Sequence, residues 1–138
     1  MAYSHKEVGN TGEMLIVKHL ERAGFELVDF DFHKLQGEID LVMKGDNVVH
    51  FIEVKTVLCE TKRVNGRYVI RETVNYPVED RVNPKKRRKL AKVIDFYSKR
   101  ELRGVPQWQF DTYVVYLDLK TKLALIKTIK DIILEECL

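Results

Sequence analysis

The sequence predicts one α/β domain in which helices flank a mixed central sheet. Three observations carry this expectation. The 138 residues are 45% hydrophobic and 33% charged, the balance of a globular chain that buries roughly two thirds of its unfolded surface and needs neither disulfides nor a structural metal to fold. Segments of helical period alternate with segments rich in β-branched and aromatic residues, in the order α, three β, an arm, α, two β, α. No repeat or linker interrupts that order, so a single domain over 1–138 is expected.

The same composition excludes other classes. A chain this apolar is not disordered. No apolar run approaches the about 20 residues of a membrane span, and Met1-Ala2-Tyr3-Ser4-His5-Lys6-Glu7 lacks the apolar core of a secretory signal. A cytoplasmic protein without membrane partners is expected. Cys59 and Cys137 have no zinc-type spacing and read as unpaired thiols.

Ser4-His5-Lys6-Glu7 has the form of a capping box, and Ile16, Val17, Leu20 and Ala23 recur at helical spacing until Gly24, predicting a helix from about residue 5 to 23. Residues 25–30, 38–43 and 48–57 read as three strands. Between the second and third, Lys44-Gly45-Asp46-Asn47 forms a hairpin tip, since Gly, Asp and Asn tolerate positive φ. Asn65-Gly66, flanked by Thr61-Lys62-Arg63-Val64 and Arg67-Tyr68-Val69-Ile70, predicts a protruding hairpin arm near 58–74. Asn83-Pro84 opens a second helix whose core stripe is Leu90, Val93, Ile94 and Tyr97. Two strands, 110–118 and 123–127, follow around Asp118-Leu119-Lys120-Thr121-Lys122, and a short helix over 129–138 closes the chain.

The candidate chemistry lies in Glu13, Asp40, Glu53 and Lys55. Residues two apart on a strand share a face about 6.6 Å apart, so Glu53 and Lys55 point one way and Ile52 and Val54 the other. Opposed residues of an antiparallel hairpin have numbers of constant sum. A two-residue turn at Asp46-Asn47 sets Asp40 across from Glu53, and one at Gly45-Asp46 sets it diagonally, within about 5 to 8 Å in either case. A three-residue loop would part them across the sheet.

Glu13 falls on the helix face carrying Ile16, Val17 and Leu20, where an acid needs a partner. Gly9 and Gly12 in the same helix each cost about 1 kcal/mol relative to Ala, which suggests close approach of another element. Three acids beside a lysine repel one another unless a hard divalent cation is shared among them, Mg²⁺ first and Mn²⁺ as a substitute. An amine beside such an ion fits phosphodiester hydrolysis, with Lys55 orienting water or offsetting developing charge.

Gly9-Asn10-Thr11-Gly12-Glu13, Gly37-Glu38-Ile39-Asp40-Leu41 and Phe51-Ile52-Glu53-Val54-Lys55-Thr56 together resemble the YraN family of the PD-(D/E)xK nuclease superfamily. The similarity continues through Pro77-Val78-Glu79 and Lys85-Lys86-Arg87-Arg88 to Phe110-Asp111. It implies a restriction-endonuclease-like core related to Holliday-junction resolvases. Glu13, Asp40 and Glu53 then match the metal positions, and with Lys55 the catalytic ones. The expected activity is Mg²⁺-dependent endonucleolytic cleavage of DNA, in preference to RNA, with branched or distorted DNA as substrate and a homodimer by analogy. The alternative is a non-catalytic nucleic-acid-binding module on the same fold. The family has a short loop where this chain carries its arm, which would embrace DNA or a second subunit or be a tolerated surface insertion.

The net charge is only +3, yet residues 83–103 carry +7 and the remainder −4. Arg88, Lys92, Lys99 and Arg103 fall opposite the core stripe, whereas Lys86 and Arg87 lie nearer the core side of the first turn. Helix N-terminal amides favour phosphate there, so Lys85, Lys86, Arg87 and Arg88 are the candidate nucleic-acid contacts. His5, His19, His33 and His50 have no ligand spacing, and His50 lies on the strand face opposite Glu53. Trp108 and Tyr113 read as core or interface residues.

Overall fold

Ser4 and Glu7 close the predicted capping box: the Glu7 amide donates to the Ser4 hydroxyl at 3.1 Å, and the Ser4 amide to the Glu7 carboxylate at 3.3 Å. The structure is a computed structural model and describes residues 4–34, 37–74, 84–101 and 107–130. Helix α1 (His5–Arg22) runs from this cap to Gly24, whose φ of 94° turns the chain into the first strand. Strands β1 (Glu26–Lys34), β2 (Gly37–Gly45), β3 (Val48–Val64) and β4 (Arg67–Val74) follow. Helix α2 (Pro84–Glu101), β5 (Trp108–Asp118) and β6 (Leu123–Ile129) complete the described chain.

The strands form one mixed sheet in the order β1-β2-β3-β5-β6, with β4 added to β3. Among the described residues only β3 and β5 are parallel, and the other pairings are antiparallel. The predicted turns form at both hairpins. Asp46 and Asn47 take φ of 54° and 62°, and Asn65 and Gly66 take 51° and 79°, as a two-residue turn of primed type requires. The sheet separates two cores. On one side α1 lays Ile16 and Leu20 over Leu41, Met43, Ile52, Tyr113 and Val115. On the other, the stripe Leu90, Val93, Ile94 and Tyr97 of α2 packs on Ile39, Val42, Val49, Phe51 and Phe110.

Several expectations change. Strand β3 does not stop at residue 57 but runs 17 residues to Val64, so the core strand and the first half of the arm are one element. Ile129 ends β6 instead of starting a helix, because it pairs with Thr112. The rest of the expected closing helix, 131–138, lies outside the described residues, as do Asn83, Arg103 and Cys137. Gly12 behaves as expected, since a Cβ there would overlap the Thr56 hydroxyl of β3. Gly9 does not: among the described residues, nothing lies within 4 Å of where its Cβ would be.

Two groups of polar side chains inside the sheet are held by hydrogen bonds to one another. His50 Nδ1 lies 2.8 Å from Asp111 Oδ2, and Gln109 Nε2 donates to Asp111 Oδ1 at 2.9 Å. Asp111 is fully buried, and this partnership accounts for His50, which faces away from Glu53. The Tyr97 hydroxyl donates to Asp29 at 3.1 Å, and its ring meets Phe32 and Phe51 edge-on.

Candidate active site

The site is built from a gap in strand pairing. Strand β2 pairs with β3 only as far as Leu41 and Ile52, and β4 begins its pairing at Leu58. Strand β5 occupies the opposite edge of β3 throughout, from Val49 to Leu58. Among the described residues, the edge of β3 from residue 53 to 57 is therefore left open between two strands. Asp40 enters this notch, where its Oδ2 accepts the Val54 amide at 2.9 Å in place of the interrupted ladder.

The β2–β3 register pairs Leu41 with Ile52 and Val42 with Phe51. Extended by one residue, it sets Asp40 opposite Glu53, the arrangement expected for a turn at Asp46-Asn47. Ile52 packs on the α1 side and Phe51 on the α2 side, so alternation carries Glu53 and Lys55 to the α2 side. There Glu38, Asp40 and Glu53 line a cleft of about 70 Å³, walled by Ile39, Ile52, Leu90 and Phe110. Glu53 Oε2 is buried, and Lys55 is half-buried.

Glu13 approaches from the other side. It is half-buried on α1 and, with Asp31, borders a groove of about 370 Å³ lined by Met14, Val17, Leu27, Phe30 and Leu41. Burial, then the charges of Asp40 and Asp31, a hydrogen bond with Asp31 and the charge of Glu38 push its carboxyl up to about 7. Burial likewise raises Asp40 to about 6. The Val54 amide opposes that rise, and the charges of Glu53, Glu38 and Asp31 add to it. Asp40 is thus the electrostatic centre, coupled to Glu53 on one face and to Glu13 on the other. The three acids do not form a single tight cage: among the described residues, no three Asp, Glu, His or Cys side chains are gathered closely enough to hold a metal ion as they stand.

Sequence reasoning missed Asp31 and gave Glu38 no role. Asp31 takes φ of 49° within β1, a left-handed conformation that costs a non-glycine residue roughly 1–2 kcal/mol. The available signal was the continued alternation Phe30-Asp31-Phe32 beyond the expected strand end.

Of the basic candidates, Lys85 and Arg88 are exposed in the first turns of α2. The side chains of Lys86 and Arg87 lie outside the described residues. Leu90, one turn further on, walls the Glu53 cleft, so this basic helix end borders the candidate site.

The uncharacterised protein family UPF0102 has a sequence profile that matches residues 12–115. The chain belongs to this family. UPF0102, the YraN family, is a PD-(D/E)xK nuclease-like family, and the six-stranded mixed sheet between helices is consistent with its restriction-endonuclease-like fold. The matched stretch contains Glu13, Asp40, Glu53 and Lys55. A UPF0102 protein of Campylobacter lari is 33% identical over 118 residues, covering 86% of this chain and 91% of the relative. One from Caldicellulosiruptor saccharolyticus is 29% identical over 126 residues, covering 91% and 96% respectively. One from Campylobacter jejuni subsp. doylei is 36% identical over 89 residues, covering 64% and 66%.

Proposed function

We propose that this protein is a Mg²⁺-dependent endonuclease that hydrolyses phosphodiester bonds of DNA, with branched or distorted DNA as its substrate class. The observation that carries the reading is the set of desolvated, mutually repelling carboxylates around the open edge of β3, with Lys55 on the same strand face as Glu53. A protein gains nothing in stability by burying like charges, so such a set marks a site built to receive a cation.

The donor set is all oxygen, which suits Mg²⁺ or Mn²⁺, and the cleft beside Asp40 and Glu53 has room for an ion with part of its water shell. Asp40 and Glu53 would hold the ion and Glu13 would complete its charge balance from the α1 side. A bound divalent ion supplies Lewis-acid polarisation of a phosphoryl oxygen and acidifies water. Lys55 orients the attacking water and offsets charge on the pentavalent phosphorus. Lys85, Lys86, Arg87 and Arg88 steer the phosphate backbone towards the cleft.

The second reading, a nucleic-acid-binding module without catalysis, is favoured by one observation: Glu13 and Glu53 reach Asp40 from opposite faces and do not close into a metal cage. The two readings are separated by assaying duplex, single-stranded, flap and four-way DNA in Mg²⁺ or Mn²⁺. The nuclease reading expects cleavage that falls at least about 100-fold in Lys55→Ala with DNA affinity retained. Absence of cutting on every substrate, with binding intact, makes the binding module the correct account.

A further inference from the structure

The β3–β4 hairpin arm carries its own charge pattern. Residues 61–68, Thr-Lys-Arg-Val-Asn-Gly-Arg-Tyr, hold three basic side chains and no acid. Lys62, Arg63 and Arg67 are exposed, and among the described residues none of them has a carboxylate within ion-pair distance. The Arg63 guanidinium instead lies over the Tyr68 ring, 5.4 Å from its centroid, and Val64, Tyr68 and Val69 are exposed beside it.

The ladder assigns these residues to faces. Arg63 pairs with Tyr68, Lys62 with Val69 and Val64 with Arg67. Directly opposed residues share a face and successive ones alternate, so Lys62 and Arg67 lie on one face and Arg63 on the other. A ribbon lying flat on a polyanion needs cations on one face only. A ribbon entering a groove of a duplex meets a phosphate backbone on each side, and a two-stranded ribbon fits the major groove of B-form DNA. The major groove of an RNA duplex is too deep and narrow to admit it.

The arm is also held at its root. Asp118 Oδ2 accepts the Thr61 amide at 2.8 Å and the Thr61 hydroxyl at 2.7 Å, which ties the ribbon to the turn between β5 and β6. Beyond Thr61 only the basic tip projects. Since β3 is continuous, that tip stands nine residues from Lys55, about 30 Å along the strand.

We propose that the tip of the β3–β4 hairpin is a duplex-DNA-binding ribbon that enters the major groove, with Lys62 and Arg67 on one phosphate backbone and Arg63 on the other. It deepens the nuclease reading and rests on it: the arm grips intact duplex about 30 Å from the point of cutting.

The test is titration of a DNA duplex of about 30 base pairs, and of an RNA duplex of the same sequence, with wild type and Lys62→Ala/Arg63→Ala/Arg67→Ala across a NaCl series. Three lost phosphate contacts flatten the plot of log affinity against log salt for DNA by about 2.7. At low salt the affinity for DNA falls at least tenfold, while that for RNA changes little. Unchanged thermal melting of the variant verifies its fold. Single Lys62→Ala and Arg67→Ala variants each lower the slope by about one. An unchanged DNA slope overturns the proposal, as does a variant whose only change is a halved mass in sedimentation, which would make the arm a subunit contact. A wild type that cuts DNA while the triple variant binds like wild type refutes the arm alone. A slope flattened by the triple substitution, in a protein whose wild type cuts nothing, refutes the nuclease reading and leaves the arm standing.

Discussion

Gly12 and Thr56 meet where α1 crosses β3, and this contact sets how closely the helix bearing Glu13 approaches the strand bearing Glu53 and Lys55. Gly12→Ala is expected to destabilise the protein by about 1–3 kcal/mol, because the added methyl overlaps the Thr56 hydroxyl. Thr56→Ala in the same chain should recover a large part of that loss, and a double-mutant cycle of urea denaturation measures the coupling. Additive effects would show that the contact is not what excludes a side chain at residue 12. Both glycines looked alike in the sequence. What separates Gly12 from Gly9 is that β3 brings Thr56 up against the one and not the other, a property of the packed molecule.

At the scale of the element, β3 is the organising feature. Its first third pairs with β2, its last third with β4, and the open stretch between carries the candidate chemistry. Asp118 anchors the far part with bonds from Thr61, Lys120 and Thr121 amides and the Thr61 hydroxyl, and these donors hold its carboxyl well below the usual range. Asp118→Asn should leave the core intact yet loosen the arm, seen as faster amide exchange over residues 61–70 and earlier cleavage there by protease. Because the carboxyl is depressed in the folded state, the anchor is complete above about pH 4, the ordinary Asp range, and weakens as the pH falls below it. Equal exchange rates in the two proteins would remove Asp118 from this role. The sequence announced the arm through Asn65-Gly66, whose backbone demand is local. It did not announce that the arm prolongs a core strand, because the alternation that marks a strand is the same in a buried segment and in a ribbon.

For the molecule as a whole, the acids around Asp40 make stability depend on pH and on divalent cation together. Glu13 and Asp40 hold protons up to about 7 and about 6 in the folded state, against about 4 when unfolded. Between about pH 4 and 7 the folded chain therefore binds more protons than the unfolded one, and these two groups make stability decline as the pH rises through that window. A bound cation competes with those protons. Mg²⁺ should raise the melting temperature more at pH 8 than at pH 5, and Glu13→Gln with Asp40→Asn should flatten the pH dependence and abolish the Mg²⁺ effect. A Mg²⁺ effect that survives in the double variant would place the ion elsewhere.

The sequence by itself determined the elements whose causes are local: the capping box of α1, the primed turn at Asn65-Gly66 and the core stripe of α2. At the first hairpin it marked the tip 44–47 and left the turning pair open; the structure takes Asp46-Asn47, whose register continues to Asp40 opposite Glu53. Tertiary structure alone decided the rest. Glu13 meets Asp40 from the face opposite Glu53 because α1 and α2 pack on different sides of the sheet. Asp31 joins them from the neighbouring strand β1, where its backbone takes a left-handed conformation. Asp111 is buried with a histidine because parallel pairing of β3 and β5 brings together residues 61 positions apart. Such encounters depend on which surfaces bury against each other, and the local pattern of a chain carries no record of that choice.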